Sequence, residues 1–230
     1  MATAPYAAGP MLRTNVVSPL DAGDRLLVLI HGYGADEADL APLAPVLDPE
    51  GRFSTICPRG PIDLPVGGAA WYDRSPEGDV DPASFQHAVL ELDHLVDAAC
   101  AQGGLARAAS LIVGFSQGGA MALALTLRET TKVAPVGVAC LSGMLQTPEW
   151  LRYAWDADGW PAGASELPAV LVQHGTADPM VAVDQGRRTR DVLRGHGIEP
   201  EYHEYPMQHE IVPASVDDLR AWIDRVTLGR

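Results

Sequence analysis

Gly114-Phe115-Ser116-Gln117-Gly118-Gly119 lies between an apolar run, Leu111-Ile112-Val113, and an apolar stretch, Ala120-Met121-Ala122-Leu123-Ala124-Leu125. The first run reads as a buried strand and the second as a buried helix. A strand that passes at once into a helix brings two stretches of backbone very close and strains the residue at the apex. Gly114 and Gly118 remove the Cβ atoms that would clash there. The pattern is G-x-S-x-G, which pushes a serine hydroxyl out at the end of a sheet, beside the first free N–H groups of a helix. That is the geometry acyl transfer requires.

A serine hydroxyl is a weak nucleophile at neutral pH and needs a base, a group to orient the base, and donors for the developing oxyanion. Where this elbow occurs, the partners follow in the order serine, acid, histidine, each at a strand's end. The acid in that position is Asp178 of His174-Gly175-Thr176-Ala177-Asp178-Pro179, after the apolar strand 169–173. Glu166 precedes that strand, at its wrong end, and Asp184 reads as a helix-terminal charge. The base is His209, in the loop after the strand 201–205. His203 lies within that strand, and His87, His94 and His196 read as surface residues. His174 and His31 read as structural hydrogen-bonding residues of their loops. One oxyanion donor is the N–H of Gln117, directly after the serine. The other is assigned to the N–H of Tyr33, in the glycine-rich turn His31-Gly32-Tyr33-Gly34 after the apolar run 26–30.

The rest of the chain alternates in the same way. Strands are expected at 26–30, 53–57, 111–113, 136–141, 169–173 and 201–205. Helices are expected at 36–47, 84–101, after the elbow, at 184–194 and at 215–226. Such alternation implies a mainly parallel sheet covered by helices, with the active crevice at the carboxyl ends of the strands. A further short helix is expected to start at Thr147-Pro148-Glu149 and spread Trp150, Leu151, Ala154 and Trp155 around its surface. Trp71, Leu145 and Met180 are expected to line an acyl groove, with the tryptophan-rich stretch from Trp150 to Trp160 either at its rim or packed on the sheet edge.

With 230 residues, 47% hydrophobic and 20% charged, the chain is expected to form one domain, 1–230, with a large core. The formal net charge of −14 repels phosphate backbones and anionic headgroups, so neither nucleic acid nor a stable membrane association is expected. Cys57, Cys100 and Cys140 have neither disulfide-like nor zinc-like spacing and read as buried free thiols. That usage suits a reducing compartment, and residues 1–10 carry no basic residue and no long apolar core. A cytoplasmic location is therefore expected. A homodimer is compatible with the sequence, but no interface can be read from it.

At these residues the chain resembles the phospholipase/carboxylesterase family, which includes the acyl-protein thioesterases. The shared pieces are Leu29-Ile30-His31-Gly32-Tyr33-Gly34-Ala35-Asp36-Glu37, Pro58-Arg59-Gly60-Pro61, Trp71-Tyr72-Asp73, the elbow, Leu141-Ser142-Gly143, the Asp178 turn and His209-Glu210. The resemblance implies a single-domain α/β-hydrolase with no large cap domain. It also implies hydrolysis of a small-molecule carboxylic ester, thioester or lysophospholipid through an acyl-serine, with no metal or cofactor. By position it makes Ser116 the nucleophile, Asp178 the orienter and His209 the base, and it places Trp71 beside the acyl pocket. Tyr33 stands where many members have leucine, and Gln208 where glycine often precedes the histidine. Two alternatives stay open on sequence: an acyltransferase that delivers the acyl group to an acceptor other than water, and a non-catalytic binding protein on the same fold. A dienelactone-hydrolase-like enzyme resembles the chain with cysteine at the elbow, where this chain has Ser116.

Overall fold

The computed structural model describes residues 12–131, 133–156 and 167–228. Its strands are β1 (Thr14–Val16), β2 (Arg25–Ile30), β3 (Phe53–Pro58), β4 (Ile62–Asp63), β5 (Ala69–Ala70), β6 (Leu111–Phe115), β7 (Gly137–Leu141), β8 (Ala169–Gly175) and β9 (Glu201–Tyr205). Its helices are α1 (Ala44–Leu47), α2 (Pro82–Gly103), α3 (Gln117–Leu127), α4 (Val183–Gly195) and α5 (Pro213–Leu228). Seven strands form one sheet in the order β1-β3-β2-β6-β7-β8-β9, parallel except for β1, which runs antiparallel along β3. The strands β4 and β5 make a separate two-stranded ribbon.

The apolar runs of the central strands divide between two cores because successive side chains point to opposite faces. Leu26, Val28, Ile30, Ile112, Val138, Cys140, Val170 and Val172 face α2, α3 and α4. Leu27, Leu29, Leu111, Val113, Ala139, Leu141 and Leu171 face α1 and α5, against Leu47, Leu219, Trp222 and Ile223. Burial on both faces is why these strands read as unbroken apolar runs rather than alternating ones. Helix α3 is buried along its whole length, which accounts for its lack of a polar side. Cys57, Cys100 and Cys140 are free and buried, and burial pushes the Cys57 and Cys140 thiols up to about 12.

Three segments differ from the sequence expectation. The helix expected at 36–47 is a run of turns, then a 3-10 turn at Ala41–Leu43 and the single turn α1. Pro42 and Pro45 have no N–H to donate, so a continuous i→i−4 ladder cannot form, and bonds such as Leu43 N–H to Leu40 O take its place. No helix starts at Pro148. Arg152 O accepts from Glu129 N–H, and Tyr153 forms a β-bridge with Arg128, so this backbone is held extended against the chain leaving α3. Among the described residues, helicity there is limited to the 3-10 turn Ala154–Asp156. Trp160 and Glu166 lie outside the described residues. Helix α2 begins two residues before the expected start: Asp81 caps it by accepting from Ser84 N–H at 2.8 Å, and Pro82 takes the first helical position.

The elbow depends on close backbone approach. A Cβ on Gly114 would stand 2.1 Å from Gly118 O, and one on Gly118 would stand 2.1 Å from Ile30 O. Gly118→Ala must therefore push the start of α3 away from the end of β2. It is expected to cost about 2–3 kcal/mol, or roughly 4–12 °C in melting temperature for a chain of this size. Calorimetry checks this, and an unchanged melting temperature would contradict the contact.

Candidate active site

All the candidate groups lie in loops that leave the carboxyl ends of parallel strands: Tyr33 after β2, Ser116 after β6, Asp178 after β8 and His209 after β9. Ser116 has φ 54° and ψ −117°, a conformation that L-residues rarely adopt. Its neighbours hold it there: Ser116 N–H donates to Leu141 O at 2.8 Å, and Ser116 O accepts from Gly119 N–H at 2.9 Å. A Cβ on Gly143 would be 2.8 Å from Ser116 O, so the loop after β7 also needs its glycine to close on the elbow.

From the serine a hydrogen-bonded chain runs inward. His209 Nε2 is 2.8 Å from Ser116 Oγ, and His209 Nδ1 is 2.7 Å from Asp178 Oδ2. With Nδ1 protonated and donating to the carboxylate, Nε2 presents its lone pair to the serine hydroxyl. The other carboxylate oxygen, Oδ1, accepts from the N–H groups of Met180 and Val181, both at 2.8 Å. Burial works against the Asp178 charge, but the donors from Val181, His209 and Met180 outweigh it and hold the carboxyl below its ordinary range. The Phe115 ring lies 4.9 Å from the His209 ring and flanks it.

The loops that carry Asp178 and His209 are stitched together. Thr176 N–H donates to Tyr205 O at 2.8 Å and Ala177 N–H to Met207 O at 3.1 Å. Gly175 permits this, since a Cβ there would fall 2.4 Å from Gln208 O. Gln208 has no positive φ, so the glycine often found at that position is not needed for this loop.

Both remaining loop histidines are structural. His174 is fully buried, with Nε2 2.8 Å from Val181 O. His31 is buried, with Nδ1 2.7 Å from Gly32 O and Nε2 accepting from Gly60 N–H at 3.0 Å. Burial lowers the His31 pKa, against the pull of the Gly32 carbonyl, and the ring is held neutral between one acceptor and one donor.

Ser116, His209, Tyr33, Gln117 and Met180 line one cavity of about 540 Å³. Gln117 is the first residue of α3, so its N–H has no acceptor within the helix. Neither that N–H nor the Tyr33 N–H is engaged in a backbone hydrogen bond among the described residues. The Gln117 side chain has a separate task. Its Oε1 accepts from Trp71 N–H and its Nε2 donates to Tyr72 O, both at 2.8 Å, fixing that segment as a wall of the cavity. The side chains of Tyr33 and Met180 stand at the mouth, 65% and 75% exposed.

Two expected groove residues are not in this cavity. Trp71 is fully buried beneath it, with Nε1–H donating to His31 O at 2.9 Å and its ring 5.2 Å from that of His31. It is a support of the His31 loop, and its neighbour Tyr72 faces the cavity instead. Leu145 lines an adjoining cleft, with its N–H bonded to Thr189 Oγ1 at 2.9 Å, and Met144 takes the place expected for it. Sequence reasoning missed Tyr72, Arg74 and Met144 as lining residues. The sequence singled out the right segments, but which side chain of each faces the cavity depends on how the segment is bonded. Trp150 packs edge-on against Phe85 at 5.5 Å, and Trp155 stacks between Tyr153 and His196, each at 4.6 Å.

The sequence model of the phospholipase/carboxylesterase family matches residues 12–227. The chain belongs to that family. It is thus one of a family of esterase- and thioesterase-type hydrolases with the α/β-hydrolase fold. Among its relatives, the acyl-protein thioesterase 1 of Mycosarcoma maydis is 28% identical over 244 aligned positions, covering 94% of this chain and 98% of the relative. The lysophospholipase-like protein 1 of Mus musculus is 29% identical over 221 positions, 90% of this chain and 89% of the relative. Among solved structures, esterase PE8 superposes with a TM-score of 0.80 at 28% identity, covering 94% of this chain and 99% of its own. Among the described residues, no helix of this family member is long and apolar enough to cross a membrane.

Proposed function

We propose that the protein is a serine carboxylesterase, acting on carboxylic esters or thioesters through an acyl-serine intermediate. The observation that carries this reading is the unbroken hydrogen-bond chain from Ser116 Oγ through His209 to Asp178, at the mouth of a cavity and at the ends of three parallel strands. As Ser116 Oγ attacks the carbonyl carbon, its proton passes to His209 Nε2. The N–H groups of Tyr33 and Gln117 hold the negative charge that develops on the carbonyl oxygen. Collapse of the tetrahedral intermediate breaks the bond to the leaving alcohol or thiol, which takes the proton from His209. Water repeats the sequence on the acyl-enzyme and restores the serine. Asp178 stays ionised throughout and stabilises the imidazolium. The cavity wall of Tyr72, Ala120, Met144 and Val181 suits a short or medium acyl chain.

The direct test is hydrolysis of p-nitrophenyl esters from acetate to laurate, with Ser116→Ala as the blank, alongside labelling by an active-serine phosphonate. Turnover and labelling that both depend on Ser116 support the reading. Absence of both in the folded wild-type protein overturns it.

The base works only as a neutral imidazole, so kcat/KM is expected to fall as pH is lowered from about 8 to 5 and the proposed base takes up a proton. Asp178 is held below the ordinary carboxylate range and remains charged over that window, so it contributes no acid limb there. A rate that is flat from pH 5 to 8 would contradict His209 as the base.

A further inference from the structure

Eleven of the fourteen described arginines are ion-paired with a carboxylate, as a net charge of −14 leads one to expect. Among the described residues Arg74, Arg188 and Arg220 form no such pair. Two of these three face a single cleft of about 350 Å³, whose walls include Met144, Gln146, Thr147 and Trp150. The cleft adjoins the cavity of Ser116, because Arg74 and Met144 line both.

The cations are placed rather than loose. Arg74 lies over the Tyr72 ring at 5.7 Å, its Nη1 donates to Gly78 O at 3.0 Å, and its backbone pairs with Val80. Arg188 approaches from α4, with Nη2 3.4 Å from Thr147 Oγ1. Gln146 lines the same wall, its side-chain amide beside the Tyr72 hydroxyl. The acidic groups nearby are Asp79 on the cleft wall and Asp73 on the cavity wall, and neither forms an ion pair with either arginine. A planar guanidinium with donors not engaged by a carboxylate matches a substrate carboxylate or phosphate.

Building on the serine-esterase reading, we propose that this cleft seats an anionic group of the substrate, so that the preferred esters carry a carboxylate or phosphate remote from the scissile carbonyl. Arg74, shared by cleft and cavity, is the contact that couples anion binding to placement of the ester at Ser116. The two arginines also provide a local attraction on a surface that otherwise repels anions.

The test compares kcat/KM for the mono-4-nitrophenyl esters of adipate and suberate with the same esters methylated at the free carboxylate. A second pair is 4-nitrophenyl 6-hydroxyhexanoate with and without a phosphate on its terminal hydroxyl. At low ionic strength the wild type is expected to prefer at least one charged ester over its neutral partner by about tenfold, chiefly through KM and decreasingly as salt is added. Which pair shows the preference distinguishes carboxylate from phosphate. The double variant Arg74→Gln/Arg188→Gln should bring that ratio close to one. Arg220→Gln, which removes a charge away from the cleft, should leave it unchanged. Both cleft arginines are exposed, so a melting curve suffices to show that the variants are folded, and Arg188→Gln alone provides a second reading. Equal or faster turnover of the neutral partners by the wild type overturns the proposal, as does a preference that survives in the double variant. Loss of Ser116-dependent turnover on every ester is a different outcome: it removes the esterase reading, and the anion site with it.

Discussion

Ser116→Ala is expected to lower kcat by about 10⁶ while leaving the fold intact. The alanine keeps the Cβ and the backbone bonds that fix the elbow, so only the hydroxyl is removed. What remains is the binding energy of the cavity and the two N–H groups proposed to hold the oxyanion, acting on a water that nothing has positioned. Single-turnover and steady-state rates on a p-nitrophenyl ester measure the drop, with calorimetry to confirm folding. A variant that retained a tenth of the wild-type rate would remove Ser116 as the nucleophile. Ser116→Gly should be equally inactive but more stable than Ser116→Ala, because φ 54° with ψ −117° strains any residue that has a Cβ. That comparison separates the strain at the elbow from the chemistry.

The second large effect belongs to Asp178→Asn, expected to lower kcat by about 10⁴. Asparagine is nearly isosteric, and its oxygen can still accept from Met180 and Val181 N–H, so the turn should persist. Its NH₂ group would then face His209 Nδ1, where a carboxylate oxygen now lies at 2.7 Å. The imidazole would be turned into the wrong tautomer, with a proton rather than a lone pair directed at Ser116, and the imidazolium would lose its counter-charge. The deficit should appear in kcat more than in KM, because Asp178 does not line the cavity. A loss of less than tenfold would mean that another group orients His209. His174, with Nε2 3.6 Å from Asp178 Oδ2, is an imidazole and cannot replace the carboxylate.

Much of this was legible along the chain. The five parallel strands from Arg25–Ile30 to Ala169–Gly175 appear as apolar runs because both of their faces are covered, and helices α2, α4 and α5 show their buried stripes at helical spacing. The three residues of the hydrogen-bonded chain were found because each follows a strand in a fixed order. The segment 36–47 lies where strand–helix alternation calls for a helix, but Pro42 and Pro45, whose missing N–H groups decide the local geometry, prevent one. The helix expected at Pro148 was misread for another reason: its start signal was real, but the backbone is engaged across space by residues after α3. The edge strand β1 and the ribbon of β4 and β5 are too short to show a period.

The sequence by itself determined the order of elements, the elbow and which serine, aspartate and histidine the fold brings into one hydrogen-bonded chain. Glycine spacing and two-sided burial are constraints written in consecutive residues. The tertiary structure alone decided which neighbours face the cavity. Trp71 was expected there and is buried under His31, whereas Tyr72, Met144 and Arg74 line it. That choice rests on the Gln117 side chain gripping residues 71 and 72, and on Thr189 holding Leu145, contacts between positions 44 to 46 residues apart. Local pattern carries no information about such contacts. The pairing of Arg74 with Arg188 across one cleft arises in the same way, from two elements that meet only when the sheet is assembled.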